Sequence, residues 1–220
     1  LFFEDGILAS KELELTLTGK NAGLKDRIPM CGVPFHSVKP YIEKLISKGY
    51  KVAICEQLED PRAVKGMVKR DVIQVVSKGT FVDLDFLNDY DHNFIGSLLD
   101  FNHSYVLTYA DISTGSMYSL MIPHIKEKAI NEILNLGLKE VILENSNDLE
   151  LIEVLRDKNN IGINISSNYL ESDYSNLYKN INDPKIINGI KHILYYLVVK
   201  ELKDLSHFNE VTVVNPNLYL

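Results

Sequence analysis

The chain has 220 residues, 45% of them hydrophobic, which is enough for one large or two small cored domains and excludes a disordered chain. No apolar run approaches the roughly 18 residues of a membrane helix, no charged-then-apolar signal segment opens the chain, and two cysteines, Cys31 and Cys55, exclude a disulfide framework, so a reduced cytoplasmic protein is expected. The net charge of −7 argues against nucleic acid, but residues 1–80 carry 13 Lys and Arg against 10 Asp and Glu, a balance of +3, and residues 81–220 carry 10 against 20, a balance of −10. A polyanion is therefore expected to prefer the first segment.

The first segment reads as a small mixed α/β domain over 1–80. Up to about Glu12 the apolar spacing suits a helix, and Leu13, Leu15 and Leu17 alternate as in a strand. Residues 20–26 read as a loop. Two prolines and a glycine within 27–36 bar a regular element. Ser37 reads as an N-cap with Pro40 in the first turn, and Tyr41, Ile42, Leu45 and Ile46 form the apolar face of a short helix that Gly49 stops. Residues 50–56 alternate as a strand with Val52 and Ile54 inward, Asp60-Pro61 starts a turn, and 72–76 is a second β-rich run. Cys55 is expected in the core.

Residues 81–91 read as an acidic linker with Asp83, Asp85 and Asp89. Three β-rich runs follow, 93–101, 104–112 and 116–122, joined by turns at Asn102-His103 and 113–115. A helix over 126–136 presents Ala129, Ile130, Ile133 and Leu134 and ends at Gly137. Residues 140–144 read as a buried strand, Asp148 as the cap of a helix through 158, and 161–165 as another strand. The Asn- and Ser-rich stretch 166–183, with Tyr169, Tyr174 and Tyr178, reads as a surface loop. Asp183-Pro184 opens a long helix. Three antiparallel strands followed by helix, strand and helix make an RNase H-like α/β domain over 92–205, with 206–220 starting a further region.

Few residues carry chemistry. His36 beside two scattered cysteines lacks any metal-ligand spacing. The run Lys65-Gly-Met-Val-Lys69-Arg70 is a basic patch suited to phosphate contact. No Gly-rich phosphate loop occurs. Leu1 is not a start methionine, and 1–5 reads as the interior of an element, so the chain is expected to be a piece of a longer protein.

The ordered motifs Phe2-Phe-Glu-Asp-Gly-Ile-Leu-Ala-Ser-Lys-Glu-Leu13, Leu15-Thr-Leu-Thr-Gly19, Pro29-Met-Cys-Gly-Val-Pro-Phe-His36, Gly49-Tyr-Lys-Val-Ala-Ile-Cys-Glu-Gln57 and Val68-Lys-Arg-Asp-Val-Ile73 resemble the N-terminal domain of the MutS family of mismatch-recognition proteins. The resemblance is nearly unbroken over 1–80 and rests on element order over 90–220. It implies mismatched double-stranded DNA as partner, read by a Phe-x-Glu motif whose Phe wedges into the minor groove and whose Glu bonds the mispaired base. A mismatched step unstacks more cheaply than a paired one, so a kinking wedge selects it. Phe2-Phe3-Glu4 has that spelling but matches the stretch after the family motif. No wedge role is carried to Phe2 and no base contact to Glu4, and Phe2 or Phe3 is expected in the core of the following helix. The resemblance implies a Pro29-Met30 turn beside the kinked groove, with Met30 against sugars or base edges and Arg27, His36, Lys65, Lys69 and Arg70 on phosphates.

It also implies that the RNase H-like domain is a connector that faces MutL, that the longer protein is a homodimer, and that ATP and Mg²⁺ belong to an ATPase outside these residues. No cofactor, metal, membrane contact or ATPase activity is then expected of residues 1–220. Two alternatives differ in class. One is a metal-dependent RNase H-type nuclease with Asp111 and Glu144 as metal-binding carboxylates. The other is a protein-interaction adaptor without DNA contact.

Overall fold

This computed structural model describes residues 1–21, 23, 26–59, 68–81, 93–171 and 173–215. By its contacts the chain divides into two compact units, Leu1–Val52 and Ala53–Leu220.

In the first unit, α1 (Phe3–Glu12) is followed by β1 (Thr18–Lys20), β2 (Ile28–Met30), a 3₁₀ turn at Phe35–Ser37 and α2 (Lys39–Ser47). Ala9, Leu13, Cys31 and Leu45 form its core, ringed by Leu15, Tyr41, Tyr50 and Val52. Alternation over 13–17 does not make a strand. The Leu13 N–H still bonds Ala9 O as the end of α1, and Glu14 takes a positive φ of 58°, so the pattern is split by a helix C-terminus. The first strand forms instead at 18–20.

The proline-rich stretch does carry a short strand. β1 and β2 are antiparallel with Gly19 opposite Pro29, a three-residue pairing that tolerates the missing N–H of a proline at a strand edge. Ser37 is not the cap of α2. Val38 holds that position without a side-chain bond, and Ser37 Oγ donates to Pro34 O. Phe2 and Phe3 are 42% and 60% exposed and outside the core. The α2 face is as expected, with Ile42, Leu45 and Ile46 buried and Gly49 at φ 88°.

From Val52, the last residue of the first unit, the chain enters a two-stranded ribbon of β3 (Val52–Gln57) and β4 (Arg70–Val76), extended by Leu58 N–H to Lys69 O at 3.0 Å. Cys55 is exposed on this ribbon rather than in a core, because a two-stranded ribbon has a face it cannot cover. The turn expected at Asp60-Pro61 and the linker aspartates lie outside the described residues.

A six-stranded sheet follows, built from β5 (Phe94–Asp100), β6 (Ser104–Asp111), β7 (Ser116–Pro123), β8 (Glu140–Leu143), β9 (Gly162–Ile165) and β10 (Thr212–Val214). Its order is β10-β7-β6-β5-β8-β9. β5, β6 and β7 form an antiparallel meander, β8 and β9 run parallel to β5, and β10 runs parallel to β7. Leaving β10 aside, this is the RNase H-like order read from the sequence.

Period-2 alternation sends Ile95, Ala110, Met117 and Ile142 to one face, under α5 (Pro184–Tyr195) and its continuation Tyr196–Lys200. Leu98, Leu107, Leu120 and Val141 pack on the other face against α3 (Lys126–Asn135) and α4 (Leu149–Ile152). Gly189 lets α5 approach closely, since a Cβ there would meet Thr108 Oγ1 at 2.6 Å. The caps are as expected: Asp148 accepts from Leu151 N–H and Asp183 from Lys185 and Ile186 N–H.

The stretch 166–183 is not a simple surface loop. Leu177 and Tyr178 are buried in the α5 core, and Tyr169 OH donates to Glu144 Oε1 at 2.6 Å. Leu205, Phe208 and Val211 join the same core, so packing continues into β10.

His192 on α5 is fully buried and joins three elements. Its Nε2–H donates to Ser166 O after β9, and Ser97 Oγ–H of β5 donates to Nδ1 at 2.6 Å. Burial holds its pKa below the ordinary histidine value, against the opposing effect of the Ser166 carbonyl. A histidine depressed in the fold contributes its full stability above the unfolded pKa of about 6.5 and loses it as pH falls below that value. The unfolding free energy from urea titration is therefore expected to fall as pH drops from 7.5 to 5, by up to about 1.4 kcal/mol per pH unit, and His192→Gln to flatten that slope. Thiol labelling checks the cysteine placement: Cys31 is 1% exposed, so one thiol per native chain reacts, and Cys55→Ser abolishes the reaction.

Candidate nucleic-acid interface

Three short pieces of chain build the surface around Met30. Leu1 and Cys31 exchange backbone bonds, each at 3.1 Å, and Phe2 bridges Met30. β1 lies on the other side of β2, where Thr18 Oγ1 also donates to Met30 O at 2.9 Å. Pro29 and Met30 are half-buried. Arg27 is exposed just before β2, its stem lying over Gly19, where a Cβ would sit 3.0 Å from Arg27 Cβ.

Lys20 ends β1 with its ammonium 5.6 Å from the centre of the Phe2 ring, within cation–π range. Phe2, Lys20, Arg27 and Met30 thus gather around one short ladder. Sequence reasoning missed Lys20 and the exposure of Phe2; only the strand register, which spacing does not reveal, places them beside Met30. His36 sits on the 3₁₀ turn, exposed, next to Phe35 at 85% exposure.

The other predicted contacts lie in the second unit. Arg70 opens β4 and Lys69 directly precedes it, both with exposed side chains. Lys69 is held through its backbone, its N–H donating to Glu59 Oε2 at 2.9 Å. Lys65 lies outside the described residues.

The nuclease alternative fails on geometry. Asp111 is opposite Phe94 at the start of β5, whereas Leu143, before Glu144, is opposite Leu98 towards its end. Glu144 therefore lies about five residues along the sheet from Asp111, about 16 Å, while paired catalytic metals sit about 4 Å apart. Both carboxylates are also engaged: Asp111 Oδ1 accepts from Ser113 N–H and Oγ–H, and Glu144 accepts from Tyr169. Among the described residues no group of three or more His, Cys, Asp or Glu is placed to hold a metal.

Comparison with known proteins agrees with the front unit's motifs. Residues 1–85 match the family model described as MutS domain I. The chain is 37% identical over 222 residues to the DNA mismatch repair protein MutS of Oceanobacillus iheyensis, covering 100% of the chain and 26% of that protein. It is 39% identical over 214 residues to the protein of that name from Bacillus subtilis, covering 97% and 25%, and 39% identical over 216 residues to that of Clostridium tetani, covering 95% and 24%. The chain belongs to the MutS family, and it spans about a quarter of the length of these curated relatives. No helix among the described residues is long and apolar enough to cross a membrane.

The ladder depends on a close approach at Gly6. A Cβ there would lie 3.2 Å from Leu1 O and Pro29 O and 3.3 Å from Met30 Cα, all backbone atoms that cannot rotate away. Gly6→Val is expected to lift α1 off β2 and lower stability by about 1–3 kcal/mol, despite valine's better helix propensity. Thermal unfolding followed by tyrosine fluorescence checks this, together with faster proteolysis within 1–52.

Proposed function

We propose that this chain is the DNA-reading and connector part of a mismatch-repair protein, with residues 1–80 contacting mismatched duplex, 81–91 as linker, 92–205 as connector and 206–220 leading into a further region. The observation that carries the reading is the surface around Met30. It joins apolar Phe2 and Met30 to cationic Lys20 and Arg27 within the stretch that matches MutS domain I. Apolar side chains suit an unstacked minor-groove step, and flanking cations suit its phosphates. Pro29 shapes this edge, and His36, Lys65, Lys69 and Arg70 supply further phosphate contacts.

The local balance of +3 over 1–80 is modest, so residues 1–220 alone bind duplex weakly and with strong salt dependence. In the longer protein that we propose contains them, heteroduplex kinking is coupled to ATP and Mg²⁺ at an ATPase elsewhere, the protein is a homodimer, and the connector faces MutL in the bacterial cytoplasm.

Fluorescence anisotropy with duplexes carrying or lacking a central G·T mismatch tests this at several salt concentrations. The longer protein is expected to favour the heteroduplex. Arg27→Ala and Arg70→Ala weaken both duplexes, each reducing the salt slope by about 1. Met30→Ala narrows the preference for the mismatch. Equal affinity for both duplexes sinks mismatch reading, and no binding to either leaves the adaptor alternative in its place.

A further inference from the structure

Between β4 and the linker, Ser77-Lys78-Gly79-Thr80 crosses the α5 face of the sheet as a buried strap, with Ser77 and Thr80 each 2% exposed. Glu140, 1% exposed on β8, receives it. Its Oε2 accepts from Ser77 Oγ–H at 2.6 Å and Gly79 N–H at 2.8 Å. Its Oε1 accepts from Tyr196 OH at 2.8 Å and from Asn164 Nδ2–H of β9. Thr80 Oγ1–H donates to the buried Glu201 carboxylate at 3.1 Å and accepts Ser77 N–H at 2.9 Å.

The strap also fits sterically. A Cβ on Gly79 would lie 2.8 Å from Glu140 Cβ and 3.1 Å from Ile95 Cβ, so only glycine passes. Burial and the Glu140 and Glu201 carboxylates push the Tyr196 phenol far above its ordinary range, keeping it a donor at this hub.

Strand β4, which begins at Arg70 beside Lys69, runs without interruption into this strap. We propose that Glu140 is a positioning residue for DNA binding: through Ser77 and Gly79 it clamps the end of β4 and so holds the Lys69–Arg70 ribbon in its binding-competent place without touching DNA. This rests on the reading that the ribbon contacts phosphates. A clamp acts by raising the fraction of molecules that are competent, so loss of the clamp weakens apparent affinity by that fraction. The number of phosphates neutralised, and with it the salt slope, stays the same.

The test compares Gly79→Ala, Ser77→Ala and Glu140→Gln with Lys69→Ala by hydrogen exchange and by anisotropy on duplex DNA, using the longer protein. Gly79→Ala and Ser77→Ala leave the sheet core chemically intact, so they inform even where Glu140→Gln fails to fold. Gly79→Ala is expected to speed exchange over 70–81 by about tenfold or more, with β5–β7 still protected, and to weaken DNA binding by about 3- to 10-fold at unchanged salt slope. Lys69→Ala is expected to lower the salt slope by about 1 without changing exchange. Unchanged exchange over 70–81 overturns the clamp, and faster exchange with unaltered affinity overturns its positioning role. A wild-type protein that binds no duplex overturns the DNA-binding reading, and with it this one.

Discussion

The second unit is organised around a buried carboxylate. Removing Glu140 from water is costly unless its lone pairs are filled, and donors from three segments fill them: the 77–80 strap, Asn164 on β9 and Tyr196 after α5. Apolar packing alone tolerates small slips of a helix along a sheet. A carboxylate that needs each of these donors does not. His192 makes a comparable demand one turn earlier on the same helix, tying α5 to β5 and to the segment after β9. Two polar pins on one helix therefore fix the registers that the surrounding isoleucines and leucines only favour.

The first unit is built differently. Ala9, Leu13, Cys31 and Leu45 make its small core cluster, with Ile42 and Ile46 also buried, while Leu1, Phe2, Phe3, Ile7, Leu8 and Phe35 remain substantially exposed. Its geometry comes from backbone proximity at Gly6 and from short ladders around Met30 rather than from a large apolar interior. A domain that keeps aromatic and aliphatic groups at its surface beside lysine and arginine suits a ligand with both apolar and anionic parts. Base edges and a phosphodiester chain are such a ligand.

The RNase H-like order was legible because its strands are long and its turns carry their own signals, including Asn102 at φ 62° and Gly115 at φ 70°. The caps at Asp148 and Asp183 were legible for the same reason: their chemistry is local. What was not legible depended on distant partners. Leu13–Leu17 alternates, yet the α1 terminus divides it; Pro29 looks like a breaker, yet a three-residue ladder admits it. Cys55 looks like a core residue because free cysteines are commonly buried, yet the alternation of β3 puts it on the face opposite the half-buried Val52 and Ile54, where it is exposed. In the candidate site, the family motifs pointed to Arg27, Pro29 and Met30, whereas Lys20 and Phe2 came into view only through pairing across β1, β2 and the first residues. Asp111 and Glu144 failed in the opposite direction: both are strand carboxylates in an RNase H-like order, but register puts them at opposite ends of the sheet.

The strap has a consequence for how the chain is made. Ser77 waits for a partner 63 residues later, and Thr80 for one 121 residues later. Closing such loops is slow and follows local structure. On a ribosome residues 1–52 can pack around Ala9 and Leu45 before Glu140 is translated, whereas the strap after β4 gains its first partner only with Glu140 and its full set only with Glu201. The order of synthesis thereby becomes an order of assembly, in which the strap is completed well after it is made.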